Sequence, residues 1–166
     1  MRSTQIVATV VLTASIASTV SLHAAQAPST SSDDYILGVW ELNVAKSKYS
    51  PGPGPVSETR TYQRGPNGIE GTIQRRFADG RSARIEYVAE YDREYPVRGT
   101  EEYDHILLKR ITARVAEAVL SHAGRVYGTA RRVIDESGKT MTITFKQEGS
   151  SGTPVNNTAF YEKVEQ

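Results

Sequence analysis

Three arginines stand on the apolar side of segments in which apolar and polar residues alternate. They are Arg75, Arg110 and Arg132. When only every second residue is taken, the three segments are Ile69-Gly71-Ile73-Arg75-Phe77, Ile106-Leu108-Arg110 and Val126-Gly128-Ala130-Arg132-Ile134. Period-two alternation places one side of a strand against a core, so these guanidinium groups are expected to point toward an interior. A buried guanidinium needs a carboxylate, water or an anionic ligand, and its fork of donors suits a carboxylate or a phosphate.

Two interpretations of these arginines stay open. Arg75 and Arg110 lie near strand ends, where a long side chain lays its methylene groups along the core and keeps its charge in water. Placement at the rim or internal ion pairing is the more economical explanation for them. Arg132, between Ala130 and Ile134 on its phase, is the best candidate for an anion-binding residue.

Tyrosines share the inward phases and would add hydroxyl groups and aromatic walls to an interior site. They are Tyr87, Tyr91 and Tyr161, from a chain with nine tyrosines and three phenylalanines. Small inward residues are expected to leave space for a ligand, and they are Gly71, Ala83, Ala89, Gly128, Ala130 and Ala159. Larger residues fill that space, namely Ile73, Phe77, Ile143 and Phe145.

Catalytic and metal chemistry have weaker support. The chain has no cysteine, which excludes cysteine nucleophiles and thiolate metal sites. His105 and His122, with Asp104, show no spacing of the H-x-H or H-E-x-x-H type, and no G-x-S-x-G turn marks a nucleophile. Surface histidines and a solvated acidic loop at residues 101–104 explain these residues, so we predict neither an enzyme, nor a metal site, nor a cofactor.

The alternation that positions these residues is clearest between Ser82 and Tyr91, where Val88 is the single apolar residue on the polar phase. Similar segments follow one another, separated by turns such as Ala78-Asp79-Gly80 and Ala123-Gly124, which are hairpin signals. We predict an all-β fold, a single up-and-down antiparallel β-barrel of about eight or nine strands. The strands are expected at 35–42, 56–63, 69–77, 81–91, 105–111, 114–122, 124–134, 139–147 and 153–163.

Two segments leave alternatives. Residues 113–120 are rich in alanine and favour a helix by propensity, but Ala116, Ala118 and Leu120 alternate and favour a strand. Residues 51–55, Pro-Gly-Pro-Gly-Pro, cannot donate into a ladder and must form a loop. That loop is either a stiff spacer or a lid over a cavity mouth.

The first 27 residues read as a secretory signal peptide. Arg2 precedes a mostly apolar run from Ile6 to Leu22, and Ala25-Gln26-Ala27 is an A-x-A cleavage pattern. We expect a disordered tether at 28–34, a domain at 35–166 and a secreted or periplasmic protein without a stable membrane anchor. Since Arg2 is the only charged residue lost, 19 basic residues face 19 acidic ones, which gives no reason to expect a nucleic-acid partner. We expect a monomer.

Several motifs resemble those of bacterial secreted lipocalin-like proteins of the calycin superfamily. Gly38-Val39-Trp40 resembles the lipocalin G-x-W motif, and the wider similarity includes Trp40-Glu41-Leu42-Asn43, residues 46–52, Gly128-Thr129-Ala130-Arg131-Arg132 and residues 138–142. The resemblance implies a barrel whose tryptophan closes the bottom, and it supplies no established substrate. Lipocalins tend to pack a late-strand arginine over that tryptophan, and the last strand here has none.

The last strand, around Ala159-Phe160-Tyr161, also resembles that of fatty-acid-binding proteins. In that family an Arg-x-Tyr pair holds the ligand carboxylate. Tyr161 matches the tyrosine, but Ala159 stands in place of the arginine, which puts carboxylate binding by this strand in doubt.

Two functions therefore remain as hypotheses. In the first, the barrel binds a small hydrophobic or amphipathic ligand, with an anionic ligand as one option. The candidate site residues are Arg132, Arg75, Arg110, Tyr87, Tyr91, Tyr161 and Trp40. In the second, the barrel core is filled and the protein acts as an interaction or inhibitor module through its loops.

Overall fold

A computed structural model describes residues 35–147 and 153–164. The predicted signal peptide and tether lie outside these residues. Ten strands and one short 3-10 helix, Val44–Lys46, make up the described chain. The strands are β1 Gly38–Leu42, β2 Ser57–Gly65, β3 Gly68–Arg76, β4 Ser82–Ala89, β5 Glu94–Arg98, β6 His105–Arg110, β7 Val115–His122, β8 Arg125–Ile134, β9 Thr140–Gln147 and β10 Val155–Lys163.

Each strand pairs antiparallel with the next, and β1 pairs with both β2 and β10, so the sheet closes on itself. Trp40 stands opposite Arg60 on one side and Lys163 on the other. Closure gives every strand a neighbour on both sides and leaves no free edge. The predicted all-β, closed antiparallel barrel is confirmed, and the segment with an alternative helical reading is the strand β7.

The barrel has ten strands, whereas about eight or nine strands were predicted from the sequence. The strand that the sequence did not reveal is β5. Pro96 lies in the middle of β5 and makes the segment look like a loop. The backbone N–H of Val97 donates toward the β6 side, to Asp104 O at 2.8 Å, so the nitrogen of Pro96 faces β4. The β4 ladder there has only two residue pairs, Glu86 with Arg98 and Tyr87 with Val97. Pro96 has no N–H to donate, and its nitrogen faces β4 at a position where the pairing of β4 with β5 has already ended.

The turn between β7 and β8 illustrates how local sequence sets the register. Ala123 and Gly124 both have positive φ, 49° and 75°, and His122 pairs with Arg125 across them. Two successive residues with positive φ form the type I′ turn, whose twist matches that of a hairpin. This turn lies at the same end of the barrel as the Pro51–Pro55 loop, which we call the upper end.

Trp40 lies in the core of the opposite, lower end, with no exposed surface. Its Nε1–H donates to Ile36 O at 2.7 Å, and Lys163 Nζ lies 5.1 Å from its ring centroid. A lysine of the last strand thus lies over the ring of the buried tryptophan. The buried neighbours of Trp40 are Ile36, Tyr62, Ile69, Ile134, Met141, Ile143, Ala159 and Tyr161.

A second buried cluster lies on the strands β3 to β7 and packs against Tyr87 and Tyr91. Its members are Ile73, Ile85, Ala89, Val97, Tyr103, Ile106, Leu108 and Leu120. Val88, the exception in the alternation of β4, is 41% exposed on the outer face. In the described part of the chain, none of the helical structure is long and apolar enough to cross a membrane.

Trp40→Ala is expected to lower the free energy of unfolding by about 3–5 kcal/mol, because it leaves a cavity in the lower core and removes the hydrogen bond to Ile36. Urea unfolding followed by circular dichroism measures the change. Val88→Ala on the outer face is the matched control and should change stability by less than about 0.5 kcal/mol. Equal losses in the two variants would contradict this packing.

Candidate functional site

The barrel encloses a cavity of about 330 Å³. Its upper wall includes Tyr49 and the Pro51–Pro55 loop. That loop is attached to β10, because Asn156 N donates to Ser50 O at 2.8 Å and Ser50 N donates to Asn157 Oδ1 at 3.0 Å. The sequence predicts that the Pro51–Pro55 loop is either a stiff spacer or a lid. In the structure this loop forms part of the cavity wall.

One side of the cavity is apolar. A row of aromatic rings crosses it, with centroid distances of 5.8 Å between Tyr103 and Tyr127 and 6.1 Å between Tyr127 and Phe145. Aliphatic side chains complete this wall, namely Ile106, Leu108 and Leu120. Such a wall suits the hydrocarbon or ring portion of a ligand.

The small inward residues do not all leave open space, contrary to the expectation from the sequence. A Cβ at Gly71 would lie 2.5 Å from Tyr87 Cζ, and one at Gly128 would lie 2.6 Å from Phe145 Cζ. These glycines admit aromatic rings from the neighbouring strands, so the rings fill the space. Ala130 and Ala159 do line the cavity.

The other side of the cavity carries a buried ion-pair cluster centred on Glu58. This carboxylate accepts from Arg60 Nε at 2.6 Å and from Arg75 Nε at 2.8 Å. The Tyr161 hydroxyl donates at 2.6 Å to Glu58 Oε1, the oxygen that also accepts from Arg60 Nε. Arg60 Nη1 donates to the Tyr62 hydroxyl at 3.3 Å. The cluster joins β2, β3 and β10, and only 2% of the Glu58 side chain is exposed.

The protonation of this cluster follows from its geometry. Burial alone raises the pKa of the Glu58 carboxyl, but Arg60, Arg75 and the Tyr161 hydrogen bond outweigh burial and hold the pKa below its ordinary value. Burial and the nearby Glu58 raise the pKa of Tyr161 well above its ordinary value. Burial, with Glu58 adding to it, raises the pKa of Tyr49 to about 12. Glu58 is thus ionised and the tyrosines are neutral at physiological pH.

Arg132 occupies a different position and has a different set of partners. Its Nη2 lies 3.3 Å from the Tyr91 hydroxyl, and the Arg110 guanidinium stacks on the Tyr91 ring at 4.6 Å. The Nε of Arg132 is buried without a hydrogen-bond partner within residues 35–147 and 153–164. A buried donor without a partner is rare and unfavourable, and here it belongs to a cation that lines the cavity.

The Tyr87 hydroxyl connects the two arginine sites electrostatically. Burial and Tyr62 raise the pKa of Tyr87 well above its ordinary value, whereas Arg132 and Arg60 act in the opposite direction. A neutral tyrosine whose pKa is affected by both cations can donate or accept a hydrogen bond at a ligand head group.

The structure brings four of the seven predicted site residues to the cavity wall: Arg75, Arg132, Tyr87 and Tyr161. Tyr91 and Arg110 are absent from the cavity wall; Tyr91 contacts Arg132 through its hydroxyl, and Arg110 stacks on the Tyr91 ring. Trp40 belongs to the lower core and is absent from the cavity wall. Of the three predicted arginines, Arg75 makes the internal ion pair that the more economical interpretation expected.

Sequence reasoning missed Glu58 and Arg60, which form the centre of the ion-pair cluster. The reason is that β2 has no apolar phase: Glu58, Arg60 and Tyr62 share one side and Ser57, Thr59, Thr61 and Gln63 share the other. The inward side could have been found from Tyr62 and from the pairing of Glu58 with Arg75 across the hairpin to β3. An acidic residue opposite an arginine already suspected of facing inward was the available signal.

His105 and Asp104 have a local structural role. His105 Nδ1 lies 2.9 Å from Asp104 Oδ1, and Asp104 Oδ2 accepts from Ala123 N at 3.0 Å. These contacts hold the β7–β8 turn against the start of β6. Over the described ranges, no group of three or more histidine, aspartate or glutamate side chains is arranged to hold a metal ion.

Comparison with known proteins gives no match: no family model, curated protein or solved structure matches the chain.

Glu58→Gln is expected to lower the free energy of unfolding at neutral pH by about 3–5 kcal/mol, because two buried guanidinium groups lose their counter-charge. The folded-state pKa of Glu58 lies below its unfolded value of about 4.3. The stabilisation by the wild-type carboxylate is therefore complete above that value and is lost as the pH falls through the lowered folded value. Urea unfolding across pH measures both effects.

The control for this variant is Glu86→Gln, which removes an exposed ion pair with Arg84 and should change stability by less than about 1 kcal/mol. A gap between wild type and Glu58→Gln that stays constant from neutral pH into strong acid would contradict the assignment.

Proposed function

We propose that this protein is a lipocalin-like carrier, secreted or periplasmic, that binds a small amphipathic anion inside the barrel. The apolar wall takes the hydrocarbon or ring portion of the ligand, and Arg132 takes its acidic head. The G-x-W resemblance and the predicted signal peptide agree with this proposal.

The observation that supports the proposal most is the charge balance inside the barrel. Three guanidinium groups, those of Arg60, Arg75 and Arg132, line the cavity. Glu58 is the only buried acidic residue in the described chain. Glu102 and Glu117 also touch the cavity but are exposed or half-exposed, and Glu117 pairs with Arg131 on the outer face. The interior therefore has more positive than negative charge, which an anionic ligand would balance.

Arg132 is prepared for such a ligand. Its guanidinium contacts the hydroxyl of Tyr91, whose ring is covered by Arg110, and this contact reduces the side-chain entropy that is lost when a ligand binds. A carboxylate or phosphate can accept two parallel hydrogen bonds from a guanidinium group. Tyr87 supplies a further hydroxyl in the same region.

The alternative function, a filled barrel that acts through its loops, has less support. Its premise is a filled core, whereas the interior holds a cavity of about 330 Å³, which is within the range of small-molecule sites. In addition, the Pro51–Pro55 loop contributes to the cavity wall.

Arg132→Met is expected to weaken binding of dodecanoate and retinoate at least tenfold, a loss of about 1.4 kcal/mol, while dodecanol and retinol change less than twofold. The variant removes the guanidinium group and keeps a flexible apolar side chain about as long as the arginine side chain up to Nε. Titration calorimetry and ligand-induced shifts in Tm measure the two classes, and native mass spectrometry shows whether one ligand binds per chain.

Arg131→Met is the matched control, because Arg131 neighbours Arg132 on β8 but pairs with Glu117 on the outer face. It should leave the affinity for the acids unchanged. Equal weakening of acids and alcohols by Arg132→Met would limit Arg132 to a structural role, and absence of binding by every probe to the wild type would reject the carrier function.

A further inference from the structure

The ion-pair cluster has the arrangement of a receptor site with its ligand already bound. Arg60, Arg75 and Tyr161 aim three donors at one carboxylate, and all three contacts are between 2.6 and 2.8 Å. We call these three residues the carboxylate clamp. Each arginine contacts Glu58 through Nε and Tyr161 contacts it through its hydroxyl, so the clamp recognises the carboxylate group itself.

The clamp belongs to the cavity and is not sealed off from it. Arg60, Arg75, Tyr161 and Glu58 all line the cavity wall, and the arginine side chains are 14% and 21% exposed. A ligand in the cavity therefore lies beside the clamp, but the position between the two Nε groups and the Tyr161 hydroxyl is open to it only if the Glu58 carboxylate is absent.

Glu58 holds the clamp with an advantage that a free ligand lacks. Its carboxylate is attached to the same strand as Arg60, two residues away, so the association is intramolecular and occurs at a high effective concentration. The two guanidinium groups and the Tyr161 hydroxyl keep the carboxylate ionised despite its burial, and they hold its pKa below the ordinary value, so mild acid does not release it.

We propose that Glu58 is a specificity-determining residue, a built-in carboxylate that fills the clamp and thereby directs the acidic head of the ligand to Arg132. The clamp is then a second carboxylate-binding subsite of the cavity, silent in the wild type. The part of this inference that concerns Arg132 rests on the proposed function, while the clamp itself rests on the contacts of Glu58 alone.

Glu58→Ala opens the clamp, and the test is rescue by small carboxylates. Acetate, added at constant ionic strength, is expected to raise the Tm of Glu58→Ala saturably, by about 3–5 °C at ten times its apparent Kd. Acetamide, which has the same shape without the charge, and chloride should produce no saturable rise. Wild type should not respond to acetate, because Glu58 occupies the clamp.

The double variant Glu58→Ala, Arg75→Gln is the matched control and should lose the acetate response. If Glu58→Ala is unfolded in plain buffer, it is refolded in acetate, acetamide or chloride, and recovery of the barrel in acetate alone supports the clamp. No acetate-specific effect on either Tm or refolding would overturn the inference, as would an equal response from the double variant.

A second measurement tests the link to ligand choice. Glu58→Ala should bind a long-chain dicarboxylate, tested as a series from about ten to about sixteen carbons, at least tenfold more tightly relative to dodecanoate than wild type does. A ratio unchanged across the series would remove the specificity role. Acetate rescue without any binding of dodecanoate by wild type would leave the clamp intact and reject the carrier function, so the two proposals fail separately.

Discussion

Two guanidinium groups lie inside this barrel because one carboxylate lies between them. Arg60 and Arg75 both donate to Glu58, at 2.6 and 2.8 Å, and without that charge their burial would be strongly unfavourable. The same carboxylate accepts from Tyr161 on β10, so a single side chain connects strands on both sides of β1. The polar wall of the cavity and the net charge of that wall both depend on this one group.

Most of the fold could be predicted from residue types because the alternation is strong where one face meets the core. The inward face of β4 is specified by Ala83, Ile85, Tyr87 and Ala89. The turn between β7 and β8 is specified by Ala123-Gly124. β5 escaped because Pro96 breaks the pattern that defines a strand, and only the ladders of β4 and β6 around it reveal how the missing donor is accommodated. Pairing of this kind is a tertiary fact that no local pattern contains.

The site was predictable to a smaller extent, for a related reason. Arg132 and Arg75 were conspicuous as charges among aliphatic residues, whereas Glu58 and Arg60 lie on a strand that is polar on both faces and so gave no contrast. The space left by Gly71 and Gly128 could not be judged from their size, since it depends on Tyr87 and Phe145 of adjacent strands. Register across the sheet decides which side chain fills which gap.

The pairing of β1 with β10 also places the start of the first strand beside the end of the last strand. Tyr35 precedes β1 at the lower end, and Val164 N donates to Val39 O at 2.9 Å beside it, whereas the cavity is lined at the upper end by the Pro51–Pro55 loop. A chain whose first and last strands lie side by side, away from the mouth of its cavity, is suited to circular permutation and fusion. A short linker joining residue 164 to residue 35 would create a continuous barrel whose new ends could be placed in an upper loop, which makes this architecture a convenient scaffold for sensors that report on the cavity.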